Sequence, residues 1–137
     1  MIIGYTAGVY DLFHVGHVDI LRNAKALCDK LIVGVTVDEL VLYKGKRAVI
    51  DFSDRIEVVR ACKYVDVAVP QYSIDKVEAV RKHGASFLFV GDDWYGHDSW
   101  AEMEAALLGD NCRVIYFPYN QNTSSTLINK TLQTLRE

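Results

Sequence analysis

Proline is almost missing from this chain of 137 residues: only Pro70 and Pro118 occur, each directly after an apolar run. No proline-rich or low-complexity linker divides the sequence, and its length suits one domain, residues 1–137. Cysteine is equally sparse. Cys28, Cys62 and Cys112 stand far apart and form no Cys-x-x-Cys pair. That excludes a zinc ribbon or a disulfide framework and reads as isolated thiols in a reducing compartment. No apolar stretch approaches the ~18 residues of a membrane span. No charged leader with an apolar run behind it opens the sequence, so the expectation is a cytoplasmic protein without a membrane partner. An excess of positive charge is lacking too, with 15 Lys and Arg against 18 Asp and Glu, a net charge of -3. This balance gives no global attraction to nucleic acid. An anionic substrate must then be held by a local cluster of cations.

What is present is hydrophobicity in short, regular doses. Half of the residues are hydrophobic, enough for one good core. Short apolar runs rich in β-branched residues predict strands over residues 2–6, 31–35, 65–69, 87–90 and 114–117, the third closed by Pro70 and the fifth by Pro118. Helical patterns predict helices over about 18–27, 54–63, 74–83, 99–108 and 125–135. Ser53 is placed to cap the second of these. Ile74, Val77 and Val80 share a face of the third, and Gly84 sits where a C-terminal glycine belongs. Alternation of this kind predicts an α/β fold, a parallel five-stranded sheet with helices on both faces and right-handed crossovers. Ligands on such sheets bind outside the carboxyl ends of the strands, near the switch in strand order. The segments after strands one, two, four and five are the unusual ones.

After strand one the chain reads Gly8-Val9-Tyr10-Asp11-Leu12-Phe13-His14-Val15-Gly16-His17 and runs straight into a helix. A helix N-terminus presents free N–H groups and a positive dipole end, which suits an anion. Gly8 and Gly16 allow close backbone approach, and His14 and His17 add two imidazole donors. A zinc site and a purely structural turn are the rival readings of the two histidines. A dinucleotide fingerprint is excluded, because Gly-x-Gly-x-x-Gly is missing. After strand two, Asp38 precedes a cluster of six cations: Lys44, Lys46, Arg47, Arg55, Arg60 and Lys63. Only Asp51, Asp54 and Glu57 offset them. A solvated face is the plain alternative for such a run. Asp38 could hold a ribose hydroxyl or cap the next helix. After strand four comes Gly91-Asp92-Asp93-Trp94, and after strand five the hydroxyl run Thr123, Ser124, Ser125 and Thr126 opens the last helix. One hydroxyl would cap that helix, and the others could meet phosphate oxygens.

His14-Val15-Gly16-His17 with its Tyr10-to-Phe13 lead-in, joined to Gly91-Asp92-Asp93-Trp94, resembles the glycerol-3-phosphate cytidylyltransferase family within the wider HxGH nucleotidyltransferases. The likeness covers nearly the whole chain. It implies a Rossmann-like fold of nucleotidyltransferase type and transfer of CMP from CTP to a phosphorylated alcohol, glycerol 3-phosphate first among them, with release of pyrophosphate. His14, His17, Lys44 and Lys46 would then be catalytic, the two lysines on a loop over the phosphates. Gly8, Val9, Tyr10, Asp11, Gly16, Asp92, Asp93, Trp94, Tyr119, Ser124, Ser125 and Thr126 would bind the nucleotide. Arg55, Lys63 and Asp38 would hold substrate, with Lys63 standing where relatives often carry arginine. The resemblance also implies magnesium carried on the CTP phosphates, no metal cage of protein side chains, a homodimer, and a product that feeds wall or capsule polymers. The chain departs from the family segment of the type Arg-Thr-Glu-Gly-Ile-Ser-Thr by Tyr119 for arginine, Asn122 for glycine and Thr123 for isoleucine. Rival functions are a cytidylyltransferase for another acceptor such as a polyol phosphate, phosphoethanolamine or a phosphonate, an adenylyltransferase of the same fold, and a nucleotide-binding regulator without catalysis.

Overall fold

Runs of β-branched and aromatic residues bounded by turns become strands, and amphipathic stretches fill the intervals. The computed structural model describes residues 1–91, 98–118 and 125–136. Its elements are β1 (Ile3–Gly8), α1 (Val15–Lys25), β2 (Lys30–Thr36), α2 (Asp38–Tyr43), α3 (Phe52–Ala61), β3 (Val67–Gln71), α4 (Lys76–His83), β4 (Phe87–Gly91), α5 (Asp98–Gly109), β5 (Arg113–Phe117) and α6 (Ser125–Arg136). The five strands form one sheet in the order β3-β2-β1-β4-β5, and every pair is parallel. The chain steps outward from β1 through β2 to β3, then returns to lay β4 on the other side of β1. The order therefore reverses between β1 and β4, and the segments leaving their carboxyl ends diverge around a crevice.

Alternation along the strands builds two cores. Leu31, Val33 and Val35 of β2 and Phe89 of β4 point to one face, where they meet Leu21 and Ala24 of α1 and Ile56 and Val59 of α3. Ile32, Leu88 and Val90 point to the other and meet Val80 of α4 and Trp100 and Leu107 of α5. Helices thus cover both faces, as the alternation predicts. On the second face Tyr5 reaches across β2 to donate its hydroxyl to Gln71 Oε1. It passes over Gly34, where a Cβ would collide with the phenol and lie 3.0 Å from Gln71 Oε1. No helix among the described residues is long and apolar enough to cross a membrane.

Several boundaries differ from the sequence expectation. Pro70 does not end the third strand, which runs on to Gln71. β3 is an edge strand, where a missing N–H costs no ladder bond. Ser53 is not the cap of α3: Asp51 is the N-cap, without a side-chain bond of its own, and Asp38 reaches over to accept from Phe52 N at 3.0 Å. α4 begins at Lys76 rather than at residue 74, because Asp75 caps it by accepting from Val77 N. Ile74 is left outside and 55% exposed. α1 starts at Val15, three residues early, because His14 caps it. The short helix α2 was not anticipated. Gly84 takes the expected left-handed conformation, φ 65°.

Gly34→Ala is expected to lower stability by about 2 kcal/mol or more, since the added methyl displaces a buried tyrosine from its hydrogen bond. Urea unfolding of the variant checks this, and an unchanged midpoint would show that Tyr5 can move aside freely.

Candidate active site

The turn from β1 into α1 holds two of the three non-glycine residues with positive φ among the described residues. Tyr10 at φ 55° and Leu12 at φ 51° both occupy the left-handed region, which costs non-glycine residues of order 1–2 kcal/mol each. Neighbouring contacts enforce it. The Tyr10 ring is buried, 7% exposed, and a Cβ on Gly8 would meet it at 3.0 Å. Burial pushes the Tyr10 phenol well above its ordinary pKa. Asp11, between the two strained residues, accepts from Val49 N at 2.8 Å and from Ile50 N at 2.9 Å. It thereby anchors the far end of the cationic loop to this turn.

The two histidines cap α1 reciprocally. His14 Nδ1 accepts from Gly16 N at 3.0 Å, and His17 Nδ1 accepts from His14 N at 3.2 Å. This is a capping box with imidazoles in place of the usual hydroxyl and carboxamide. An Nδ1 that accepts a backbone N–H cannot carry a proton, so in each neutral ring the hydrogen sits on Nε2. The ring centroids lie 4.1 Å apart. Phe13 stacks on His17 at 5.3 Å, and the Tyr10 ring packs against His17 at 5.3 Å as well. Burial, then the neighbouring His14, push the His17 pKa down to about 4, with Asp11 opposing. Burial lowers that of His14 as well. His14 Nε2 is buried and has no hydrogen-bond partner among the described residues. At neutral pH the pair thus offers two neutral Nε2–H donors beside a helix N-terminus. The zinc reading fails on the same geometry: both Nδ1 lone pairs are already engaged by backbone donors, and both Nε2 atoms carry hydrogen.

Arg55 is placed differently from the sequence expectation of a phosphate contact. It is 1% exposed. Nε donates to Ile50 O at 2.8 Å, and Nη1 donates to Val9 O at 2.7 Å and Thr36 O at 2.8 Å. Nη2 donates to Asp38 Oδ1 at 2.6 Å. One guanidinium so fastens the ends of β1 and β2 to the start of α3. Asp38 completes the knot through its bond to Phe52 N, which, with Arg55, holds its carboxyl below the ordinary pKa against the effect of partial burial. Its side chain remains 42% exposed.

Lys44 and Lys46 line a cavity of about 800 Å³ together with Ile74, Asp75, Lys76, Val77, Trp100, Glu102 and Met103. Lys76 is a functional candidate that sequence reasoning missed. It stands in the first turn of α4, after the one strand whose carboxyl end drew no attention. A cation there opposes the helix dipole, while Arg81, Lys82 and His83 occupy the favourable last turn. That misplacement was the available signal. Lys76 Nζ lies 5.6 Å from the centroid of the Trp100 ring. Burial, then Lys44, push its pKa down to about 8, with Asp75 opposing. Burial and Lys46 lower that of Lys44.

The structure therefore gathers Gly8, Val9, Tyr10, Asp11, His14, Gly16, His17, Asp38, Lys44, Lys46 and Arg55 along the carboxyl edge. It does not bring Lys63 there. Lys63 follows α3, where the chain turns toward the amino end of β3, and its Nζ lies 5.1 Å from the Tyr64 ring. Asp92, Asp93, Trp94, Tyr119 and Ser124 lie outside the described residues. Ser125 and Thr126 open α6.

Donors and cations for phosphate oxygens, set around a strand switch, are the equipment of a nucleotidyltransferase. The chain belongs to the cytidylyltransferase-like family, whose model matches residues 5–131. It is 34% identical to a glycerol-3-phosphate cytidylyltransferase of Bacillus spizizenii over 95% of this chain and 96% of that one. It is 33% identical to an FAD synthase of Thermococcus kodakarensis over 95% and 89%. Among solved structures, the lipopolysaccharide core biosynthesis protein of Thermoplasma volcanium superimposes with a TM-score of 0.73 at 25% identity, covering 88% of this chain and 97% of that one.

Two outcomes follow from the geometry. His17 is depressed in the folded state, so its contribution is complete above the unfolded pKa near 6.5 and is lost as pH falls toward 4. Between pH 7 and pH 5 this group should cost about 2 kcal/mol of stability, and the loss should be absent in His17→Asn. Denaturant titrations of both proteins at the two pH values measure the difference. Arg55→Lys keeps the charge but cannot reach four acceptors, leaving buried carbonyls short of donors. A loss of about 3 kcal/mol is expected by the same method.

Proposed function

We propose that this protein transfers CMP from CTP to a phosphorylated alcohol, with glycerol 3-phosphate as acceptor, releasing pyrophosphate. The observation that carries the reading is the pair of neutral Nε2–H donors fixed at the N-terminus of α1. A phosphate monoester has its second pKa near ~6 and is already a nucleophile at neutral pH. It needs no strong base to attack the α-phosphorus in line with departing pyrophosphate. The barrier lies in bringing two anions together, so catalysis is positioning and charge stabilisation. His14 and His17 donate to the α-phosphate and the bridging oxygen as charge builds. Neutral imidazoles suit this role, because they donate without a proton to lose at working pH. Lys44, Lys46 and Lys76 line the cavity on the same edge of the sheet and supply the positive charge that receives the acceptor phosphate. Arg55 and Asp38 hold the walls, and Asp11 ties the lysine loop to the cradle.

Asp11 has both carboxylate oxygens on backbone donors, and no cluster of three metal-ligating side chains is found among the described residues. Magnesium, when bound, would rest on triphosphate oxygens and water and neutralise phosphate charge there. A homodimer in the cytoplasm belongs to the same proposal.

The test is pyrophosphate release with Mg²⁺, CTP or ATP, and a panel of phospho-alcohols including FMN. CTP-dependent release with glycerol 3-phosphate is expected. Release with ATP and FMN alone would replace the proposal with an FAD synthase activity, the name carried by the Thermococcus relative. His17→Ala should lower turnover by ~10²–10³, the scale of losing one stabilising donor. Near-normal turnover would remove His17 from the mechanism.

A further inference from the structure

The lysine cavity has a chemistry that phosphate binding alone does not use. Lys44 and Lys46 stand on one side, at the end of α2 and on the loop beyond it, and Lys76 on the other, at the start of α4. The face of Trp100 fixes the position of Lys76 Nζ at 5.6 Å from its centroid. Two carboxylates face the same space. Asp75 accepts from Val77 N at 2.9 Å, and Glu102 lies on α5. The rest of the wall is apolar: Ile74, Val77, Trp100 and Met103. Two cations are therefore available to anchor a phosphate while a third amine is held across the cavity from them.

We propose that this cavity is a site for small phosphorylated aldehydes, which it captures by placing the phosphate on Lys44 and Lys46 and condensing the carbonyl with Lys76. The proposal rests on the reading of the cavity as the acceptor site. An aldehyde phosphate of three carbons is the acceptor's own skeleton with one carbinol oxidised, so it fits wherever a glycerol phosphate fits.

The amine lone pair adds to the carbonyl carbon, the carbonyl oxygen leaves as water, and a C=N bond remains. No oxidant or reductant is needed, and hydrolysis reverses the step. The reaction requires an unprotonated amine. The Trp100 face favours the ammonium form, but burial and Lys44 outweigh it and bring Lys76 to about 8. At pH 7.4 about a fifth of such an amine is neutral, against roughly a thousandth for an ordinary lysine near 10.4. The adduct blocks the acceptor, so aldehyde phosphates act as reversible inhibitors of transfer.

The probe is pyridoxal 5′-phosphate followed by borohydride, whose hydride fixes the imine as a stable secondary amine, with the label mapped by peptide mass. Roughly one label per chain is expected, on Lys76, with incorporation falling about tenfold in Lys76→Arg, which keeps charge but not nucleophilicity. Pyridoxal without its phosphate should label poorly. Label spread over exposed lysines, or undiminished in Lys76→Arg, overturns the proposal. Protection of the native protein by glycerol 3-phosphate separates the two readings. Labelling of Lys76 that glycerol 3-phosphate does not suppress keeps the aldehyde site and removes the acceptor assignment. CMP transfer to glycerol 3-phosphate without any Lys76 label keeps the function and sinks the aldehyde site.

Discussion

Arg55 brings a permanent positive charge into a place where it is 1% exposed, and a charge so deep survives only when nearly every donor is answered. Here the answers come from Val9, Thr36, Ile50 and Asp38. Those residues belong to the end of β1, the end of β2, the approach to α3 and the first turn of α2. The shape of the carboxyl edge is therefore set by one side chain that reads four separate segments at once. Without it the strained turn through Tyr10 and Leu12 would have its backbone carbonyl at Val9 unanswered, and the histidine cap grows directly out of that turn.

The cap in turn decides what this turn can offer a ligand. In a hydroxyl or carboxamide cap the side chain serves only the helix. An imidazole has a second nitrogen, and using Nδ1 on the backbone leaves Nε2–H pointing away from that backbone donor. The arrangement fixes the tautomer through backbone donors, and burial outweighs the opposing charge of Asp11 to keep the rings uncharged. Formal positive charge is assigned instead to lysines on the rim. In the proposed transfer, neutral donors would meet the reacting phosphorus and cations would stand farther out, a sensible division where the substrate must leave again as a different anion.

The sheet, its parallel sense and its helices on both faces were legible because period-two and period-3.6 patterns dominate short, uninterrupted segments. The β1–α1 site was legible because glycine, histidine and a helix start coincide there. What stayed hidden has identifiable causes. α2 is only six residues long, too short to show a period. Pro70 reads as a stop unless one knows that β3 lies on the sheet edge. Arg55 looks like one more cation in a charged run, since sequence does not show that its neighbours in space are carbonyls. Lys63 sits in the same run, yet the length of α3 carries it to the opposite edge of the sheet. Lys76 escaped because it is a single lysine without a motif, and it meets Lys44 and Lys46 only through tertiary structure.

The loop joining these parts is tied at its far end to the β1–α1 turn, and at its near end it folds back on α2, where Gly45 N donates to Leu42 O at 2.9 Å and Lys46 N to Val41 O at 3.2 Å. Asp11 and Arg55 hold its far end at Val49 and Ile50. At the near end, residues 42–47 are exposed, and Gly45 takes φ 78° with nothing within 4 Å of where a Cβ would be. Lys44 and Lys46 flank that glycine. Burial, and after it the charge of Lys46, lowers the Lys44 pKa, so an anion set between the two lysines would favour both charges. In the proposed transfer a phosphate there would offset that repulsion, and the bonds of Asp11 to Val49 and Ile50 keep the lysine loop tied to the turn that carries the histidine cap.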